Sequence, residues 1–144
     1  MQLIKLILNS PIIYSQTTQT LDEFEFIKEN VEILVCFVLN PKESVSIEPV
    51  KEQFLDNLQF FGQKNIENAE NIDEPTVSLP AGEYLFMQNR LNRALNRDEW
   101  LDMAIEQQKD GLWERYRLKN LLYVRFLHED GKFVTQVLRP LALS

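Results

Sequence analysis

One cysteine, one histidine and four glycines are all that the 144 residues contain of those types, and each scarcity excludes a class of function. A single thiol, Cys36, forms no intrachain disulfide, which fits a reducing, cytoplasmic compartment. One histidine and one cysteine cannot build a zinc constellation within a chain. Four isolated glycines leave no phosphate-cradling loop of the Walker or dinucleotide type. No serine stands in a nucleophile elbow. The longest apolar run is Ile33 to Leu39, far short of the roughly 20 residues a bilayer span needs. The apolar start of the chain has Lys5 inside it and no charged leader before it, so it reads as a first strand rather than a signal peptide.

Positive charge is also scarce. Fifteen basic residues face 22 acidic ones, for a net charge of −7, and such a chain repels nucleic acid unless its cations cluster. They cluster weakly, over Arg90–Arg97 and Lys109–Lys119, with acidic residues within or directly beside both stretches. A solvated face is the simpler account of them. No nucleic acid and no membrane is expected as a partner.

What is present describes one ordinary domain spanning residues 1–144: 44% hydrophobic and 26% charged, enough chain for a single core. Leu3 to Ile13 reads as a strand with Ser10-Pro11 at its end or at a bulge. Phe24–Ile27 and Val31–Leu39 read as a hairpin turned at Asn30, with Cys36 packed inside. Val50, Phe54, Leu58 and Phe61 form an apolar stripe at helical spacing. With Pro49 ahead of it and Gly62 behind, the stripe predicts a helix. Gln63 to Glu74 is polar and reads as a loop. Leu79 and Tyr84–Met87 read as strands around a Pro80-Ala81-Gly82 bend. Asn96 to Glu99 is a capping box opening a helix with Trp100, Leu101, Ala104 and Ile105 on one flank. Finally, Leu121–Leu127 and Lys132–Leu138 flank His128–Gly131, a charged turn in which Asp130-Gly131 is a strong hairpin signal and His128 reads as a solvated histidine rather than a general base. The order predicts an α+β fold, an antiparallel sheet with two helices on one face.

With histidine, cysteine and serine chemistry set aside, carboxylates and aromatics remain. Nine Phe, four Tyr and two Trp must mostly fill the core, but some are free in principle to line a cleft for an apolar ligand. Glu83 follows the Ala81-Gly82 bend, and Glu114 stands between Trp113 and Tyr116. A carboxylate among rings suits a lipophilic cation; an exposed helix residue paired with a nearby Lys or Arg is the plainer reading of Glu114.

The segment Leu79-Pro-Ala-Gly-Glu-Tyr-Leu-Phe-Met87, the helix with Glu99-Trp-Leu-Asp102 and the closing Leu138-Arg-Pro140 together resemble the second half of the gyrase inhibitor-like family. That family is itself similar to the effector-binding domains of multidrug-responsive regulators. The likeness spans about residues 76 to 140. It implies a duplicated β-α-β-β layout with a groove between the halves for bulky hydrophobic, often cationic, compounds. Its motif glutamate falls on Glu114 in one register. In the other register, Leu122–Phe126 takes the motif strand and no glutamate is supplied.

The expectation is a non-enzymatic domain binding a small hydrophobic molecule, cationic or neutral, lined by Glu83, Tyr84, Phe86, Trp100, Trp113, Glu114 and Tyr123. A filled groove, with those rings packed in a dry core, would sink this expectation. The alternatives are an interaction module covering a basic protein surface and a small-compound hydrolase using Glu83 or Glu114. No catalytic residue, metal ligand or cofactor is assigned, and the oligomeric state is open.

Overall fold

A computed structural model describes residues 4–16, 31–38, 58–65, 76–93, 95–109 and 121–141. Its strands are β1 (Ile4–Leu8), β2 (Ile12–Gln16), β3 (Val31–Val38), β4 (Leu58–Asn65), β5 (Thr76–Leu79), β6 (Gly82–Leu91), β7 (Leu121–Glu129) and β8 (Lys132–Pro140). One helix, α1 (Arg97–Lys109), lies between β6 and β7.

All eight strands join one sheet in the order β1-β6-β8-β7-β3-β4-β2-β5, with every pairing antiparallel. The sheet curls into a half-barrel. Its two end strands are tied by the chain itself. β1 runs through Asn9-Ser10-Pro11 into β2, and β5 runs through Pro80-Ala81 into β6. The two kinked strands pair along both arms, Leu8 opposite Gly82 and Ile12 opposite Leu79. Proline lacks the N–H a ladder requires, so Pro11 and Pro80 sit at the corner where pairing is interrupted. Gly82 takes φ of 144° there, a conformation open to glycine.

The expected α+β layout with two helices on one face is therefore corrected: a curled antiparallel sheet dominates, and α1 is the one helix among the described residues. The duplicated β-α-β-β arrangement falls with it. The helix expected over Val50 to Phe61 fails at its end, since Leu58 to Phe61 belong to β4; residues 50–57 lie outside the described part. Gly62 stops no helix. A Cβ there would lie 2.5 Å from Val77 Cγ2 and 2.8 Å from Tyr14 Cβ, so glycine is needed for the close approach of neighbouring strands. Gln63 to Asn65, expected as loop, continue β4. Of the expected Phe24–Leu39 hairpin, only the second strand is described, and it sits mid-sheet between β7 and β4.

Other local expectations hold. Asp130 and Gly131, at φ 53° and 72°, form the two-residue turn that closes β7 on β8 with Glu129 opposite Lys132. Asn96 Oδ1 accepts from Glu99 N at 2.9 Å, and Asn96 N donates to Glu99 Oε1 at 3.1 Å, which is the reciprocal cap. Glu99 also holds Arg93 through two 2.7 Å bonds.

The strand alternation divides the sheet's two faces. The outer face carries Ile33, Val35, Phe37, Met87, Leu122, Val124, Phe126 and Val137, covered by Trp100, Leu101, Met103, Ala104 and Ile105 of α1. Trp100 is fully buried and meets Phe126 edge-on at 5.5 Å and Phe37 at 6.1 Å. Arg139 is also fully buried, and burial draws its guanidinium down to about 10.

Candidate functional site

The inner face gathers Tyr14, Leu34, Cys36, Leu79, Tyr84, Tyr123 and Leu138 into one cluster, with Leu6, Leu8, Ile12, Val77, Phe86 and Leu121 around it. Side chains from strands at opposite ends of the sheet order can meet only on the inside of the curl. Tyr84 and Tyr123 cross edge-on at 6.2 Å, and the Tyr84 hydroxyl donates to the Pro80 carbonyl, tying the ring to the corner. Burial pushes the Tyr84 hydroxyl and the Cys36 thiol up to about 12 each, so neither ionises near neutral pH. Burial likewise raises Tyr123, and the neighbouring Cys36 adds to it.

Across this apolar surface runs a polar row. Tyr14 on β2 donates its hydroxyl to Glu32 Oε1 on β3 at 2.8 Å. Arg125 on β7 donates through Nε to the same oxygen, and through Nη1 to Gln136 Oε1 on β8 at 3.2 Å. Gln136 Nε2 in turn donates to Gln88 Oε1 on β6 at 2.8 Å. Glu32 is buried, Arg125 and Gln136 are half-buried, and Gln88 is exposed. The row thus climbs from the interior to solvent. Burial raises the Tyr14 hydroxyl and the Glu32 carboxylate raises it further, so tyrosine stays a donor. Burial opposes the charge on Arg125, but Tyr14 and Glu32 more than offset it and the guanidinium is raised.

The residues expected to line a site are placed as follows. Tyr84, Phe86 and Tyr123 share the inner face, where Phe86 is half-buried and the two tyrosines are packed. Trp100 lies on the opposite side of the sheet, in the core under α1. Glu83 points outward, exposed, and pairs with Lys5 at 3.0 Å. Trp113 and Glu114 lie outside the described residues. The expected set therefore shares no single groove among the described residues.

The polar row was not anticipated. Its signal was a charge at core-facing parity in an apolar strand: Glu32 two residues before Leu34 and four before Cys36, and Arg125 two after Tyr123. Tyr14, Gln88 and Gln136 carry no such signal. His128, expected solvated in the turn, is instead on β7 and half-buried, with its ring 4.5 Å from that of Phe133. Among the described residues no cluster of His, Cys, Asp and Glu could hold a metal ion, and no helix is long and apolar enough to cross a membrane. The chain matches no family model and none of the curated proteins with which it was compared.

Proposed function

We propose that the protein is a non-enzymatic binding domain that takes a small molecule with an apolar body at the open end of its inner face. The polar row carries this reading: it leads from a buried ion pair out to an exposed amide beside half-buried Phe86. A buried charge pair is weak evidence for stability alone, since apolar replacements of similar volume often serve as well or better. Concave apolar surfaces with a few convergent polar groups are the usual form of ligand sites. Tyr84, Tyr123 and Trp100 are packed in the core, so the expected groove among them is filled and is given up; the ligand proposed here meets Phe86, Gln88 and Gln136 at the mouth instead. The likeness of Pro80 to Tyr84 to gyrase inhibitor-like proteins supports a binding role and no longer a layout.

A thermal-shift screen against neutral hydrophobes, lipophilic cations, hydrophobic anions and common metabolites tests this. A ligand at a hundred times its Kd stabilises the folded state by about 2.7 kcal/mol. A clear rise in Tm is expected with at least one apolar class, and a flat response to all of them would remove the small-molecule reading.

One observation favours a second reading, an interaction module. Ile7 and Ile13 are 58% and 50% exposed on the outer side of β1 and β2, in a chain of net charge −7. A basic partner surface with an apolar centre suits that combination, and its association would weaken as salt rises. Ile7→Ser with Ile13→Ser would abolish capture of such a partner without touching the inner face.

A further inference from the structure

Resting on the binding role just proposed, we infer that the mouth of the inner face is an oxygen-acceptor site, built to receive the carboxylate of an amphipathic small molecule. The inference comes from the direction of the hydrogen bonds in the polar row, and that direction is forced. Arginine only donates. Gln136 must therefore turn its carbonyl oxygen toward Arg125 and its amide nitrogen toward Gln88. Gln88 must then use its own carbonyl oxygen to accept from Gln136, which leaves its Nε2 pointing onward. The exposed end of the row is thus an N–H donor. Each bond in such a chain polarises the next, and the chain starts at a guanidinium, so the terminal N–H is a strengthened donor. Among the described residues no acceptor faces it.

The next side chain on the same face of β6 is a cation, with the carboxylates of Glu129 and Asp130 beyond it at the turn. Alternation along β6 sets Gln88 and Arg90 on one face. The exposed Arg90 has Asp130 as a counter-ion only at 3.7 Å, with the carboxylate almost fully in water, a pairing of little worth. Lys132 donates to Asn92 at the same end of the β6–β8 ladder. In the other direction along β6, half-buried Phe86 offers an apolar bed beside Gln88, with Leu6 one diagonal step away on β1. A donor, a cation and an apolar bed in sequence fit a carboxylate with a hydrophobic tail. They favour an ammonium group less, since its protons would face the Gln88 N–H and the Arg90 guanidinium.

Octanoate, octanol and octylamine share a tail and differ only in the head. Each is titrated into the full chain at low salt, and amide shifts are followed at Phe86–Arg90 and Val134–Leu138. Octanoate is expected to bind about tenfold or more tighter than the other two, the worth of one hydrogen bond to a charged group. Gln88→Glu still accepts from Gln136 and leaves the inner row intact, but it presents an acceptor outward, so it should reverse the order of octanoate and octylamine. Arg90→Gln should weaken octanoate binding and flatten its salt dependence. The same spectra report whether each variant is folded. Octylamine or octanol binding as tightly as octanoate at these amides would overturn the inference and leave the binding role standing. An unaltered order in Gln88→Glu would also overturn it. No response to any of the three would overturn it too, and the wider thermal-shift screen would then decide the binding role.

Discussion

Arg125 does not pair with the residue opposite it. Its register partner on β3 is Leu34, and the guanidinium reaches diagonally past it to Glu32, two residues along the strand. Diagonal neighbours lie within reach of long side chains on one sheet face, and this one places both charges inside the curl. Glu32 is then held from both sides, by Arg125 and by the Tyr14 hydroxyl.

Breaking that pair from one side should cost more than removing it whole. Arg125→Ala leaves a buried carboxylate without its cation, and a loss of about 3–5 kcal/mol is expected in urea denaturation. The double variant Arg125→Met with Glu32→Leu should lose much less. Equal losses for the single and double variants would mean that the pair's charges matter less than its bulk.

Gly62→Ala should destabilise by about 1–3 kcal/mol, the usual cost of overpacking, because the added Cβ meets Val77 Cγ2 at 2.5 Å. Val77→Ala in the same chain removes that obstacle and should recover part of the loss, leaving the contact with Tyr14. A double-mutant cycle by thermal denaturation reads the coupling.

Cys36 should resist modification. Its thiol is fully buried and pushed up to about 12, while thiol reagents attack the thiolate. At pH 8 the labelling rate of the native protein should follow its opening equilibrium and rise in proportion as urea populates the unfolded state. Fast labelling without denaturant would contradict the packing of the inner cluster.

Glu99 ties pH to the start of α1. Hydrogen bonding to Arg93, and then the Asn96 backbone N–H, hold its carboxyl down at about 2 against an ordinary 4.5. A depressed folded-state value contributes stability above the unfolded value and loses it as pH falls through the folded one. Melting temperature should therefore carry a contribution from this group that fades between about pH 4.5 and pH 2. Glu99→Gln should remove that part of the acid slope while leaving stability nearly level from pH 6 to 8.

Where chemistry is local, the sequence was enough. Asn96 with Glu99 marked the helix start, and Asp130-Gly131 marked the hairpin, because each acts on backbone atoms within a few residues. Leu58 and Phe61 misled for the opposite reason. Their helical spacing is real, but the partner that makes Gly62 necessary is Tyr14 on another strand, and a pairing that remote leaves no local trace. For the site, alternation along β6 and β7 accounts for Tyr84, Phe86 and Tyr123 sharing a face. Trp100 went astray because an apolar helix flank does not say which side of a sheet it covers. Glu32 and Arg125 were legible as charges among buried positions, once their strands were known to be covered on both faces.

The corner at Pro11 and Pro80 has a consequence for how the protein reaches this shape. The β7–β8 hairpin joins neighbours in sequence and needs little chain to be gathered. By contrast, the ladder of β1 and β2 against β6 and β5 joins residues as distant as Ile4 and Phe86, and the entropy of drawing them together must be met before any of its bonds form. The curl is thus fastened by highly non-local contacts, and only the β3–β7 ladder joins residues farther apart in sequence. Until they form, the exposed inner face is an open row of tyrosines and leucines, and the slow step of folding is also the interval of greatest exposure to aggregation.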